Sequence, residues 1–151
     1  MIPVANRQRR VPVRAADVRQ LVRTVFRAEQ GGEPWVSVAL VNDGVIAELN
    51  ERWLGHAGPT DSIAFGLGED PAPDGTRGEV VVSAETALRE ARARGVDPSG
   101  ELLLYVAHGV LHLLGWEDDT PERRRVMNAR ARRLVALAAR RPTRRRRVAR
   151  R

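Results

Sequence analysis

The 151-residue chain carries 26 basic residues, all of them arginine, against 19 acidic ones, giving a formal charge of +7, and it has no cysteine. The missing cysteine excludes disulfides, thiolate metal sites and thiol catalysis, and the length suffices for one domain that buries roughly 70% of its unfolded surface. No apolar run approaches the roughly 20 residues that cross a bilayer, and the N-terminal MIPVANRQRR is too polar for a signal peptide, so a soluble cytoplasmic protein without a membrane partner is expected.

Residues 2–6 are expected to form a short edge strand. From Ala15 to Glu29, Val18, Leu21, Val22, Val25 and Phe26 recur at helical spacing, and Gly31-Gly32 ends that helix. The valine-rich alternation of Trp35 to Val41 predicts a strand. Asp43 is expected to cap a helix reaching about Leu54, with Ile46, Leu49 and Trp53 facing inward. A short strand is expected over Asp61 to Phe65. The Gly-, Pro- and Asp-dense stretch from Gly66 to Gly78 then predicts an exposed loop. GEVVVS, Gly78 to Ser83, is the clearest strand, and it leads into an alanine-rich helix ending near Gly95. Pro98-Ser99 opens an apolar helix, ELLLYVAHGVLHLL, closed by Gly115. Thr120-Pro121 is an N-cap and first-turn pair for a last helix with Val126, Met127, Leu134 and Leu137 inward.

These elements predict one α+β domain over residues 1–139, a small mixed sheet of about four strands with about five helices. The remainder, residues 140–151, holds eight arginines and no acid; without it the balance is 18 basic against 19 acidic residues, a net of −1. Such a block repels itself and buries nothing, so it is expected to be a disordered tail. Its expected use is salt-dependent contact with nucleic-acid phosphates.

The chemistry is concentrated in HGVLHLLGWEDD, which begins at His108 in the C-terminal half. On a helix, His108 and His112 stand one turn apart on one face. That spacing lets both imidazoles reach a single metal at about 2.0–2.1 Å. Gly115 can end the helix and turn the chain back, bringing Asp118 near the histidines as a third ligand. Three protein ligands leave a fourth position for water, as in catalytic zinc sites. Glu117 is a rival for the third place, and Asp119 is expected to support the turn before Thr120. Zinc peptidases of the H-E-x-x-H type need a glutamate after the first histidine. Gly109 stands there instead, and it can move no proton, so peptidase chemistry fails at its central step.

These residues resemble the YbeY-type endoribonucleases, also called rRNA maturation factors. Their hallmark, H-G-x-L-H-L-x-G-[YW]-[DE]-H, is matched from His108 to Glu117 and departs only at its last position, where Asp118 replaces histidine. LNERWLG (Leu49 to Gly55), PTDSIAF (Pro59 to Phe65) and GEVVVS are similar to the family's LNxxYRG, PTDVLSF and GDIVIS. The resemblance implies a single α+β domain and a zinc-holding cleft with His108, His112 and Asp118 as ligands. It also implies cytoplasmic cleavage of single-stranded RNA, in 16S rRNA 3′-end maturation and ribosome quality control, with ribosome or ribosomal-subunit partners. Two histidines plus a carboxylate also suit non-heme iron, so another divalent metal is an alternative to zinc. The family's arginine after the aromatic residue is Leu54 here, and the serine of its TDVLSF is Ala64; His56 is a possible auxiliary substitute for the lost polar group. Trp53 and Trp116 are the only aromatic residues beside family motifs that could stack bases, and packing is their plainer role. No general base is assigned. The rival reading is a non-catalytic ribosome-assembly or RNA-binding factor with a structural metal site.

Overall fold

The computed structural model describes residues 1–29 and 31–140, so Gln30 and the predicted tail beyond Arg140 lie outside the described residues. Four strands form one sheet in the order β1 (Val4–Asn6), β2 (Val36–Val41), β4 (Gly78–Ser83), β3 (Ser62–Gly66). The first three run parallel, and β3 runs antiparallel to β4. The parallel pairs follow from the helical crossovers between those strands, because parallel neighbours cannot be joined by a tight turn. The long Gly/Pro/Asp loop predicted after β3 is what lets β3 and β4 pair as a hairpin, with Gly66 opposite Gly78.

Alternation along the strands sorts the two faces. Val38 and Leu40 of β2 sit beside Val80 and Val82 of β4, and these join the main core with α1 (Ala15–Ala28) and α4 (Pro98–Leu113). On the opposite face Val41, Ile63 and Val81 form a smaller core with Ile46 of α2 (Asp43–Leu54). Helix α3 (Ala84–Arg94) lies against α4, and α5 (Pro121–Ala139) packs on both α1 and α4.

Three expectations are corrected. Asp43 is the first residue of α2, and Asn42 occupies the cap position. The Asp43 carboxylate is taken by other partners, accepting from Ser83 Oγ (2.6 Å), Thr86 Oγ1 (2.7 Å) and Arg89 Nη1 (2.8 Å), and so it ties the start of α2 to α3. Trp53 is 64% exposed, because the last turn of α2 runs past the small core; its ring meets Phe65 edge to face at 6.5 Å. In α5 the buried line is Met127, Ala131, Leu134 and Ala138, one helical stripe, which leaves Val126 and Leu137 outside.

Helix α4 crosses the sheet at close range. A Cβ built at Gly109 would collide with Val80 Cγ1 and stand 3.1 Å from Cγ2, so no side chain fits at 109. The glycine that removes the peptidase base is therefore also demanded by the helix–sheet contact.

Candidate metal centre and cleft

Helix α4 ends in a motif that explains how Asp118 returns to the histidines. Gly115, at φ +99°, donates its N–H to the His112 carbonyl (3.0 Å), and Trp116 donates to the Leu111 carbonyl (3.0 Å). This is the reversal that a left-handed glycine after a helix permits. After the reversal, the Trp116 carbonyl lies 3.1 Å from His112 Nδ1. A carbonyl only accepts, so Nδ1 carries the hydrogen, and Nε2 is the nitrogen left to face the site. His112 Nε2 is 3.4 Å from Asp118 Oδ2. Two ligands at about 2.1 Å from one tetrahedral ion are separated by about that distance.

The neighbouring acids are held elsewhere. Glu117 Oε2 and Asp119 Oδ1 both accept from Arg123 Nη1, while Thr120 Oγ1 caps α5 by accepting from the Arg123 N–H (3.1 Å). Asp118, between them, is the carboxylate that turns toward the histidines.

Trp116 is itself anchored. Its indole Nε1 donates to Glu29 Oε2 (3.0 Å), whose other oxygen accepts from Arg130 Nε (2.7 Å). The end of α1, the loop after α4 and the middle of α5 thus meet at one carboxylate, one residue removed from His112.

His108 lies one turn earlier, and its Nε2 is buried with no hydrogen-bond partner. Burial pushes its pKa below the ordinary imidazole value, against the opposing effects of the Asp61 charge and a hydrogen bond with Asn128. The ring is therefore neutral at pH 7 and carries a bare nitrogen, the state a metal ligand requires. Among the described residues, no three His, Asp or Glu side chains are drawn closely enough together to hold one ion. Of the predicted set, His112 and Asp118 are in contact, and His108 shares a cleft with Asp118.

That cleft, about 520 Å³, is a trough between three helices. Glu101, Tyr105 and His108 of α4 lie along its floor, with Glu90 and Arg94 of α3 on one wall and Arg124, Asn128 and Arg132 of α5 on the other. Asp61 and Asp118 close the His108 end. At the far end the buried Glu101 pairs with Arg94. Burial, and then Glu101 beside it, push the Tyr105 hydroxyl above its ordinary pKa.

Several of these residues were not legible beforehand. Asp61 sits in a motif noted for its resemblance, yet only the fold shows that its charge reaches His108. Asn128, Arg124 and Arg132 belong to the site only through the way α5 is laid against α4. His56 is exposed in the loop after α2 and does not line the cleft, and neither does Leu54. Trp116 is half-buried against the core, and neither tryptophan lines the cleft.

The sequence profile of the endoribonuclease YbeY family matches residues 3–138. A Syntrophus aciditrophicus protein named endoribonuclease YbeY is 33% identical over 142 residues, covering 90% of this chain and 88% of that protein. One of the same name from Geobacter sulfurreducens is 34% identical over 143 residues, covering 90% and 94%. Among solved structures, a Thermotoga maritima protein determined in solution superposes with a TM-score of 0.58 at 26% identity, covering 89% of each chain.

Proposed function

The chain belongs to the endoribonuclease YbeY family, and on that premise we propose that it cleaves single-stranded RNA in ribosomal RNA processing, using one divalent metal held by His108, His112 and Asp118. The observation that carries the metal reading is a buried imidazole nitrogen with nothing to bond, one turn from a second imidazole that faces a carboxylate. His108 Nε2 is buried without a partner, and His112 Nε2 faces Asp118 Oδ2 at 3.4 Å. A buried polar atom left unsatisfied is costly, and a cation seated between an imidazole nitrogen and a carboxylate oxygen makes their contact favourable. Two imidazoles and a carboxylate suit zinc, which is the metal we assign.

A bound divalent ion offsets the negative charge that develops on the phosphodiester. The chain's own part is to hold and orient. The Trp116 carbonyl fixes the His112 tautomer, and Glu29 and Arg130 steady Trp116 behind it. Burial keeps His108 neutral, and the walls of α3 and α5 confine the strand to the trough. Asp118, where the family carries histidine, adds a negative charge and makes the ion a weaker Lewis acid. The place of action we assign is the cytoplasm, on 16S rRNA 3′ ends and in the surveillance of ribosomes. No described helix is long and apolar enough to cross a membrane.

The test is cleavage of a single-stranded RNA oligonucleotide by the full chain and by His112→Ala. Cleavage lost in a folded His112→Ala variant, and lost on chelation, is the expected result; cleavage that persists in that variant refutes the metal's part. One observation favours a second reading, a non-catalytic RNA-binding or ribosome-assembly factor with a structural metal: Leu54 stands where the family has arginine. Stoichiometric metal and RNA binding without any cleavage would support it.

A further inference from the structure

Helix α5 carries six arginines, from Arg123 to Arg133, and the fold treats them differently. Arg123 is spent on Glu117 and Asp119, and Arg130 on Glu29. Arg125 and Arg133 are exposed away from the cleft. Arg124 and Arg132 line the trough, are exposed, and have no ion-pair partner among the described residues. Asn128 lies between them on the same wall, so the three stand at i, i+4 and i+8, a single face of the helix.

The direction of this stripe is set by how α5 returns along α4. Leu103 shares a pocket with Val135 and Ala138, whereas His108 shares the trough with Asp118 and Arg124. The two helices are therefore antiparallel, with Arg124 beside the His108 end and Arg132 toward Glu101. Eight residues span about 12 Å of helix. That is too far for one phosphate and suits two phosphates of one strand that starts at the metal centre and runs along the trough.

The other charges of the trough favour this side. Arg94 neutralises Glu101, and Asp61 and Asp118 lie at the end where a cation would balance them. Glu90 remains on the α3 wall and repels a polyanion toward α5. Two unpaired guanidiniums inside a concave wall also concentrate potential more than the same charges on a flat surface.

We infer that Arg124 and Arg132, with Asn128 between them, form a phosphate track that holds the backbone of single-stranded RNA along α5. The inference rests on the endoribonuclease reading above. The track reads charge and strand shape and no base, since its groups are those that meet phosphate oxygens.

The test uses the full 151-residue chain. A fluorescein-labelled single-stranded RNA is titrated with wild type, with Arg124→Gln/Arg132→Gln and with Arg125→Gln/Arg133→Gln. Affinity is read by anisotropy across a salt series before product accumulates, and thermal melts confirm that each variant is folded. The slope of log affinity against log salt is about −0.7 per phosphate contact for single strands, so losing two contacts flattens it by about 1.4. The expected result is that flattening in the cleft pair and little change in the outer pair. An unchanged slope in the cleft pair, or equal flattening in both pairs, overturns the track, and cleavage by wild type would then leave the endoribonuclease reading standing. Wild type that neither binds nor cleaves the RNA ends that reading and takes the track with it.

Discussion

Replacing Gly109 with alanine tests whether the close crossing of α4 over the sheet sets the position of the metal-binding helix. Helix propensity alone favours the change by about 1 kcal/mol. Against it, the new methyl would collide with Val80 Cγ1, with Cγ2 at 3.1 Å and Cβ at 3.3 Å. Rotating Val80 about χ1 can turn its Cβ–H toward the new methyl, but Cβ stays where it is, so the valine cannot step fully aside. Nor can its backbone, since β4 is paired on both edges, to β2 and to β3. Overpacking of this kind costs typically 1–3 kcal/mol, and with no soft neighbour the upper end applies, leaving a net loss of about 1–2 kcal/mol. Thermal unfolding should fall by about 3–6 °C for a domain of this size. Adding Val80→Ala makes room for the methyl, so the double variant should be more stable than the sum of the two losses, by on the order of 1 kcal/mol. A Gly109→Ala protein that melts at or above the wild-type temperature, or strict additivity in the cycle, would show that Val80 does not bar a side chain at position 109.

The Asp43 carboxylate, in spite of desolvation, is held below the usual carboxylate range by hydrogen bonds from Ser83, Thr86 and Arg89. Its folded pKa thus lies below an unfolded value of about 3.9. The stabilisation is present above that value and is lost as pH falls through the folded pKa. The gap in urea midpoint between wild type and Asp43→Asn should be widest near neutrality and narrow below about pH 4; a constant gap from pH 7 to 3 contradicts this. Glu29→Ala removes the acceptor that anchors Trp116, and through it His112, so metal affinity by chelator competition should weaken by about tenfold. An unaltered affinity in a folded protein would show that Trp116 holds its place without Glu29. Deleting residues 140–151 should weaken RNA binding and flatten its salt dependence, whereas an unchanged slope would remove the tail from the interface.

The strands were legible because valine-rich alternation marks a sheet buried on one or both faces, and Val80 and Val81 do point to opposite cores. The turn that returns Asp118 was legible because Gly115 after an apolar helix has one principal use. The faces of α2 and α5 were less so. Large apolar residues suggested Trp53, Val126 and Leu137 as inward, yet α5 buries the alanines 131 and 138, which allow close approach to α1 and α4. Asp43 followed the preference of aspartate for a cap, but the hydroxyls of Ser83 and Thr86, about forty residues away, outbid the local N–H groups. The cleft walls share this character: Asp61, Arg94, Asn128 and Arg132 become neighbours through tertiary contact alone, and no spacing in the chain announces them.

The central claim, a metal-dependent nuclease centred on His108, His112 and Asp118, is tested most directly by elemental analysis of the purified full chain and its Asp118→Ala variant, each paired with a single-stranded RNA cleavage assay. One divalent ion per wild-type chain is expected, with loss of both ion and cleavage in the folded variant. A wild-type protein that cleaves RNA while holding no metal would contradict a metal-dependent reaction.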